Sequence, residues 1–186
     1  MTVIFKLKWF LSGLILKLFC KKIGFPSYFS FPIFFKGLNK VSLGKKVRIF
    51  PGSRIETHGL GTINIGDNVG IAQNFHITSG GKLEIGSGTT IAANVIITNI
   101  DHDYKDINKT LLDQSCKITD TEIGSNCFIG AGVIIQAGTK LGNHCTVGAN
   151  SVVKGNFPDF CVVVGSPAKI VKIYDSDINE WVSVSR

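Results

Sequence analysis

Residues 123–153 read IGSNCFIGAGVIIQAGTKLGNHCTVGANSVV, and an aliphatic residue returns at every sixth position of this stretch. These positions are Ile123, Ile129, Ile135, Leu141, Val147 and Val153. A six-residue period fits neither an amphipathic helix nor an alternating strand, whereas a parallel β-helix places three hexapeptides in each triangular coil. The stretch therefore predicts an all-β solenoid.

The same register continues upstream, with small insertions between triplets of aliphatic residues. The triplets are Leu43, Ile49 and Ile55, then Ile65, Ile71 and Ile77, then Ile85, Ile91 and Ile97. Because neighbouring strands lie roughly 4.8 Å apart, equivalent residues of successive coils should stack into one interior column. A longer insertion separates Ile97 from Ile123, which are 26 positions apart. We expect residues 98–117 to leave the coil as an extended loop.

The composition agrees with one compact domain. The 186 residues are 44% hydrophobic and 18% charged, which suffices for a full core. The five cysteines lack C-x-x-C spacing and so indicate neither a disulfide framework nor a zinc site. We expect a basic amphipathic N-terminal segment (1–40), a β-helix domain (41–173) with the loop 98–117, and a C-terminal tail (174–186).

The N-terminal residues are basic and apolar at once. Residues 1–22 read MTVIFKLKWFLSGLILKLFCKK, and the uncharged stretch from Trp9 to Leu16 is far shorter than the about 20 residues that span a bilayer. Lys17 interrupts the apolar stretch that a signal peptide requires. The pattern favours an amphipathic helix on an anionic membrane surface, and hence a cytoplasmic protein peripheral to the inner face of the cytoplasmic membrane.

The alternative is a helix that packs on the end of the coil or on another subunit. The aromatic residues that follow are expected to extend the apolar surface; they are Phe25, Tyr28, Phe29, Phe31, Phe34 and Phe35. A nucleic acid partner is disfavoured, because the basic residues are mixed with bulky aliphatic residues and no binding module is present.

The long insertion contains His102 between Asp101 and Asp103. An imidazole with an ordinary pKa of about 6.5 can accept a proton at neutral pH. A carboxylate or carbonyl bound to Nδ1 would keep the Nε2 lone pair free for that purpose. From the residues alone, His102 is either a general base or a surface side chain.

Several motifs together resemble the hexapeptide acyltransferases. They are the I-G-x4 repeats, T-N-I-D-H-D-Y at 98–104, I-G-x-N-C-F-I-G-A-G-V-I-I at 123–135 and V-V-V-G-S-P-A-K-I-V-K at 162–172. The similarity covers roughly residues 41–173 and points to the sugar and polysaccharide O-acetyltransferases. It implies a left-handed parallel β-helix, a homotrimer with active sites between subunits, acetyl-coenzyme A as donor and the loop histidine as general base.

Carried over by position, the resemblance makes His102 the catalytic base. We assign acceptor binding to Asn74, His76 and Asp101. The expected coenzyme contacts are Gly130, Ala131, Ala149, Lys154, Lys169 and Lys172. Two departures from the family pattern are Asp103, where proline is common, and lysine in place of arginine at Lys169 and Lys172; lysine binds phosphate as a point charge.

The reaction predicted is direct acetyl transfer, without a covalent intermediate on Cys116. His102 would remove the proton of a sugar hydroxyl, and the backbone N–H groups of Gly130 and Ala131 would bind the oxyanion. The membrane-seeking segment favours a lipid-linked precursor of a surface polysaccharide, such as O-antigen or exopolysaccharide, as acceptor. The alternative is N-acetylation of an amino sugar nucleotide.

The sequence also bears on two further classes of function. Some β-helix carbonic anhydrases hold zinc with three histidines, but the histidines of this chain do not share a coil register, so no metal is predicted; they are His58, His76, His102 and His144. A scaffold without catalytic activity is the other class, and it would not bind coenzyme.

Overall fold

The computed structural model describes the backbone of residues 3–184 and the side chains of residues 7–184. Within that range an α-helix, Val3–Leu16, precedes three sheets that form the faces of a solenoid. The chain visits the sheets in rotation, and successive coils pair in parallel. The predicted parallel β-helix is confirmed.

The three sheets are named A, B and C in the order in which the chain meets them. Sheet A contains Lys22–Ile23, Val41–Leu43, Thr62–Ile65, Lys82–Ile85, Thr121–Ile123, Lys140–Leu141 and Asn156–Phe157. Sheet B contains Tyr28–Phe29, Arg48–Ile49, Gly70–Ile71, Thr90–Ile91, Phe128–Ile129, Thr146–Val147, Cys161–Gly165 and the antiparallel strands Ala168–Asp175 and Glu180–Ser183. Sheet C contains Phe34–Lys36, Arg54–Thr57, His76–Ser79, Ile96–Thr98, Ile134–Ile135 and Val152–Val153. Short 3₁₀ helices span Leu38–Lys40 and Leu111–Asp113.

The aliphatic residues of the predicted register form the core. In sheet C, for example, Ile55 pairs with Ile77, which pairs with Ile97 on the next coil. Every aliphatic residue of the predicted register is 5% exposed or less. Full burial of such a side chain contributes about 1.5–3 kcal/mol, so the stacked column accounts for most of the driving force for this fold.

The solenoid begins earlier than the sequence analysis expected. Ile23, Phe29 and Phe35 pair with Leu43, Ile49 and Ile55 and so make an additional coil. Phe29, expected on an exposed apolar surface, is instead 1% exposed within the core. The reason is that the six-residue register continues here on Ile23, Phe29 and Phe35, and Phe29 occupies the core position of this coil in sheet B.

The N-terminal helix packs on this first coil with one face only. Trp9 and Leu16 are buried, the Cβ position of Gly13 lies 3.1 Å from the Phe29 ring, and the Trp9 ring meets Phe50 edge-on at 5.0 Å. The opposite face is apolar and exposed; its residues are Leu7, Leu11, Leu14 and Ile15. No helix within residues 3–184 has the length and apolar character needed to cross a bilayer.

Close stacking of the coils leaves no room for side chains at some corners. A Cβ atom on Gly86 would lie 2.5 Å from the carbonyl carbon of Gly124 and 2.5 Å from the backbone nitrogen of Ser125. At Gly70, which faces outward, the nearest atoms belong to the flexible Arg48 side chain, 3.7 Å away. An alanine at position 86 would clash with the next coil, whereas an alanine at position 70 would not. Comparing the two substitutions therefore separates the free-energy cost of the clash from the free-energy cost of replacing a glycine.

We predict that Gly86→Ala lowers the free energy of unfolding by about 1–3 kcal/mol, because backbone atoms of the next coil must move. Gly70→Ala should change it by no more than about 0.5 kcal/mol. Urea unfolding at equal protein concentration measures both. Equal stability of the two variants would contradict the stacking argument.

Candidate active site

The long insertion forms an antiparallel hairpin. Strand Ile100–His102 pairs with strand Cys116–Ile118, so that His102 lies opposite Cys116. Asn99 anchors the base of the hairpin: it is fully buried, its Oδ1 accepts the N–H of Gly80 at 2.8 Å and its Nδ2 donates to Ser79 Oγ at 3.1 Å. The loop therefore leaves the coil from a rigid point.

A cavity of about 670 Å³ separates this hairpin from the outer face of sheet C. We call it the His102 groove. Its apolar lining is Leu60, Ile96, Ile100 and Ile118, and its polar lining is His58, His76, Thr78, Thr98, His102 and Cys116. A pocket that is mainly apolar, with a few polar groups, is the usual form of a small-molecule site.

His102 lies at the end of its strand with an exposed side chain. Its Nδ1 is 3.6 Å from Cys116 Sγ, so the group at this nitrogen is a thiol and not the expected carboxylate or carbonyl. Asp101 turns elsewhere: its Oδ2 accepts a hydrogen bond from Lys154 Nζ at 3.0 Å. A sulfur atom can accept the Nδ1 proton weakly, which leaves the Nε2 lone pair available.

His76 lines the groove from the floor of sheet C. Its Nε2 is 3.0 Å from Thr78 Oγ1 and 3.6 Å from Glu56 Oε1. Burial is the largest cause that lowers the pKa of His76 from its ordinary value, so the ring is neutral at neutral pH. Of the two candidates in A-Q-N-F-H-I-T, His76 is therefore the residue that reaches the groove.

Asn74 has a different environment. It occupies a corner with φ of 57° and donates from Nδ2 to Asn94 Oδ1, 3.0 Å away, on the next coil. It does not line the His102 groove. Asparagine tolerates this left-handed conformation, which explains its place at the corner.

Sequence reasoning missed Glu56 and gave His58 no role. Glu56 is 6% exposed, accepts a hydrogen bond from Arg54 Nε and has Oε2 3.4 Å from His58 Nε2. Side chains alternate along a strand, so Arg54, Glu56 and His58 point to the same face. This alternation is the sequence feature from which their proximity could have been predicted. Within the described residues, no group of three or more His, Cys, Asp or Glu side chains is placed to hold a metal ion.

The residues expected to contact coenzyme lie elsewhere on the chain. The N–H of Gly130 donates to the carbonyl of Val147 at 2.9 Å and is not available to an oxyanion. Ala131 and Ala149 occupy equivalent exposed corners of successive coils, and within the described residues neither N–H has a hydrogen-bond partner. Of the two N–H groups expected to bind an oxyanion, those of Gly130 and Ala131, only the Ala131 group is therefore available.

The three lysines are divided between two places. Lys154 pairs with Asp101 at the hairpin, whereas Lys169 and Lys172 lie opposite Val164 and Val162 in sheet B, exposed on its outer face. Ala131, Lys169 and Lys172 do not line the His102 groove. One chain therefore carries two separate parts, a groove with His102 and a surface with free N–H groups and lysines.

Known proteins share both the repeat and the fold. The family model described as bacterial transferase hexapeptide (six repeats) matches residues 120–155. WbbJ of Escherichia coli (strain K12), a candidate lipopolysaccharide biosynthesis O-acetyl transferase, is 31% identical over 158 residues, which are 81% of this chain and 81% of that protein.

Two solved structures have the same architecture at lower sequence identity. A variant of AntD, an N-acyltransferase from Bacillus cereus in complex with dTDP-4-amino-4,6-dideoxyglucose and coenzyme A, has a TM-score of 0.76 at 22% identity and matches 90% of this chain and 91% of its own. The hexapeptide-repeat acetyltransferase VCA0836 from Vibrio cholerae, in complex with acetyl coenzyme A, has a TM-score of 0.65 at 22% identity and matches 88% and 76%. These two likenesses establish the fold.

Proposed function

The chain belongs to the hexapeptide-repeat family as an acetyltransferase, and we propose that it moves an acetyl group from acetyl-coenzyme A to a sugar hydroxyl of a surface-polysaccharide precursor. The observation that carries this proposal is the His102 groove, where an exposed imidazole faces an apolar cavity with a neutral His76 on its floor. The similarity to WbbJ supports a hydroxyl acceptor.

The proposed mechanism is direct transfer with His102 as general base. Nε2 of His102 removes the hydroxyl proton as the oxygen attacks the thioester carbonyl, and the N–H of Ala131 binds the oxyanion that forms. The intermediate collapses, the acetyl group stays on the sugar oxygen, and the coenzyme thiolate leaves and takes the proton from the imidazolium. His76 holds the acceptor, and Lys169 and Lys172 bind the coenzyme phosphates.

The separation of these parts supports the homotrimer that the family resemblance implies. The His102 groove and the corner with Ala131 do not meet within one chain. A neighbouring copy that presents its corner to the groove would complete the site, and cyclic symmetry would repeat it at each interface.

A lipid-linked acceptor is supported by the N-terminal helix. Its exposed apolar face continues into Leu18, and the exposed lysines Lys8, Lys17, Lys21 and Lys22 lie on or near it. This combination suits an anionic membrane surface, where the enzyme meets a precursor on its lipid carrier at the cytoplasmic face.

The alternative is N-acetylation of an amino sugar nucleotide, and the likeness to AntD favours it. An amino sugar binds as an ammonium ion and needs a free carboxylate nearby. Beside this groove Glu56 is paired with Arg54, and Asp101, next to His102 in the chain, is paired with Lys154. Because these carboxylates are already paired, a hydroxyl acceptor agrees better with the charges around the groove than an ammonium ion does. Assays with matched pairs of hydroxy and amino sugars distinguish O-acetylation from N-acetylation.

Replacing His102 with alanine tests the general base. We predict that His102→Ala lowers turnover by about 10²–10⁴-fold with little change in coenzyme affinity, because the hydroxyl loses its proton acceptor. His144→Asn is the matched control, since His144 is exposed, lies outside the groove and has a positive φ that asparagine tolerates. Full activity of His102→Ala would exclude this role.

Lysine variants test the coenzyme surface. We predict that Lys169→Ala and Lys172→Ala each raise the KM for acetyl-coenzyme A about tenfold, because a hydrogen bond to a charged group contributes about 1.5–3 kcal/mol. The KM for the acceptor should not change, and Lys105→Ala on the hairpin is the control. If dephospho-coenzyme A binds the wild type as well as the intact coenzyme does, these lysines contact no phosphate.

The same variants show whether two subunits share one site. Trimers assembled from His102→Ala chains and Lys169→Ala/Lys172→Ala chains contain some interfaces with both intact parts. Co-assembly should therefore restore part of the activity that each variant lacks alone. No recovery, or an active monomer in analytical ultracentrifugation, would contradict the shared site.

Membrane contact is tested at two exposed lysines that follow the helix, because Trp9 and Leu16 within it are needed for packing. We predict that Lys17→Glu/Lys21→Glu weakens sedimentation with anionic vesicles by about tenfold or more, since each lysine contributes about 1 kcal/mol at such a surface. Activity on a soluble sugar should persist while acetylation of the lipid-linked precursor falls.

The control for this experiment reverses two lysines on the hairpin, Lys105→Glu/Lys109→Glu. Binding of the wild type should also weaken as salt rises, because exposed charges are screened. Vesicle binding that survives both the charge reversal and high salt would argue against the electrostatic contact.

A further inference from the structure

A buried carboxylate lies beside the His102 groove, and the proposed reaction does not use it. Glu56 is 6% exposed and contacts three cationic or titratable neighbours, Arg54, His58 and His76. The hydrogen bond from Arg54 is the largest cause that lowers the pKa of Glu56. Glu56 is therefore ionised at neutral pH, and an ionised carboxylate only accepts hydrogen bonds.

The contacts of His58 assign its proton. Lys36 Nζ lies 3.5 Å from Nδ1 of His58, and an ammonium group only donates, so this nitrogen carries the lone pair. With Nδ1 unprotonated, the ring proton of His58 is on Nε2, which lies 3.4 Å from Glu56 Oε2. Glu56 thus meets one imidazole through an N–H group.

His76 follows the same logic. Its Nε2 lies 3.6 Å from Glu56 Oε1 and 3.0 Å from Thr78 Oγ1. Because Nε2 faces the ionised carboxylate, a proton on this nitrogen is electrostatically favoured over a lone pair, and that N–H group donates to Thr78 Oγ1. Nδ1 keeps its lone pair, and within the described residues it has no hydrogen-bond partner.

We propose that Glu56 is a positioning residue: it holds the proton of His76 on Nε2, so that Nδ1 accepts a hydrogen bond from a second hydroxyl of the acceptor sugar. The inference rests on the proposed function and narrows its substrate class. The acceptor must carry a free hydroxyl besides the one that is acetylated. An acceptor that is deoxygenated or O-methylated at this second position should bind about tenfold more weakly or worse, because the neutral imidazole is left unpaired.

The variant Glu56→Gln tests the inference, since an amide both donates and accepts and no longer dictates which nitrogen is protonated. We expect ¹⁵N spectra of the wild type to show His76 with its proton on Nε2, and those of Glu56→Gln to show both tautomers. The KM for the acceptor should rise about tenfold while the KM for acetyl-coenzyme A stays constant. Glu84→Gln is the matched control, because Glu84 pairs with Lys82 at 2.8 Å on sheet A, outside the groove.

Glu56→Gln leaves Arg54 without its carboxylate and can fail to fold for that reason. A second pair of variants, at His76, tests the inference independently of that outcome. The side-chain oxygen of asparagine occupies nearly the place of Nδ1 in histidine and can accept a hydrogen bond. His76→Asn should therefore keep most of the acceptor affinity, whereas His76→Leu should lose it.

Two results would overturn the inference. The first is a wild-type His76 that carries its proton on Nδ1. The second is an acceptor KM in Glu56→Gln or in His76→Leu that equals the wild-type value. Failure of the proposed function has a different signature. In that case no sugar hydroxyl is acetylated, although the ¹⁵N spectra still show the proton of His76 on Nε2; the role of Glu56 toward His76 then stands and its role toward an acceptor falls.

Discussion

The stacking of one coil on the next is the constraint on which the rest of this structure depends. The coils from Leu43 to Val153 contribute one buried aliphatic side chain per face to a shared column, and the backbone of neighbouring coils approaches too closely for any side chain at corners such as Gly86. An insertion is tolerated only where it leaves the solenoid at a corner. The hairpin with His102 does so beside the buried Asn99, whose amide replaces the backbone partners that the coil loses there.

This regularity explains how much of the fold was predictable. Positions such as Ile91 and Ile129 follow from the period alone, and the structure buries them. The first coil was missed because two of its three register positions, Phe29 and Phe35, are aromatic and only Ile23 is aliphatic. Handedness does not follow from the period, because a six-residue period gives the same sequence pattern in either hand; it was expected from family resemblance alone.

The site was less predictable, because its contacts join residues that are distant in sequence. Asp101 was expected to bind the acceptor, but its carboxylate is paired with Lys154 from another coil. Gly130 matched a family position, yet its N–H is committed to the next coil. Glu56 could have been found by extending the register outward: once Ile55 is paired with Ile77, its neighbours Arg54 and Glu56 must lie beside His76 and Thr78.

The same register separates the requirements of folding from those of function. Inward positions of sheet C fill the column, whereas outward positions carry the floor of the groove and contribute little to the core. Substitution of an outward residue such as His76 can therefore change the acceptor specificity without leaving a cavity in the core. Glu56 is the exception, because it is an outward residue that is nevertheless buried. A buried charge is tolerated only when it is paired and hydrogen-bonded, and Arg54 provides both. The fold does not require a charged residue at this outward position, and burying a charge there costs free energy. For this reason we assign Glu56 to the chemistry of the groove and not to the stability of the coil.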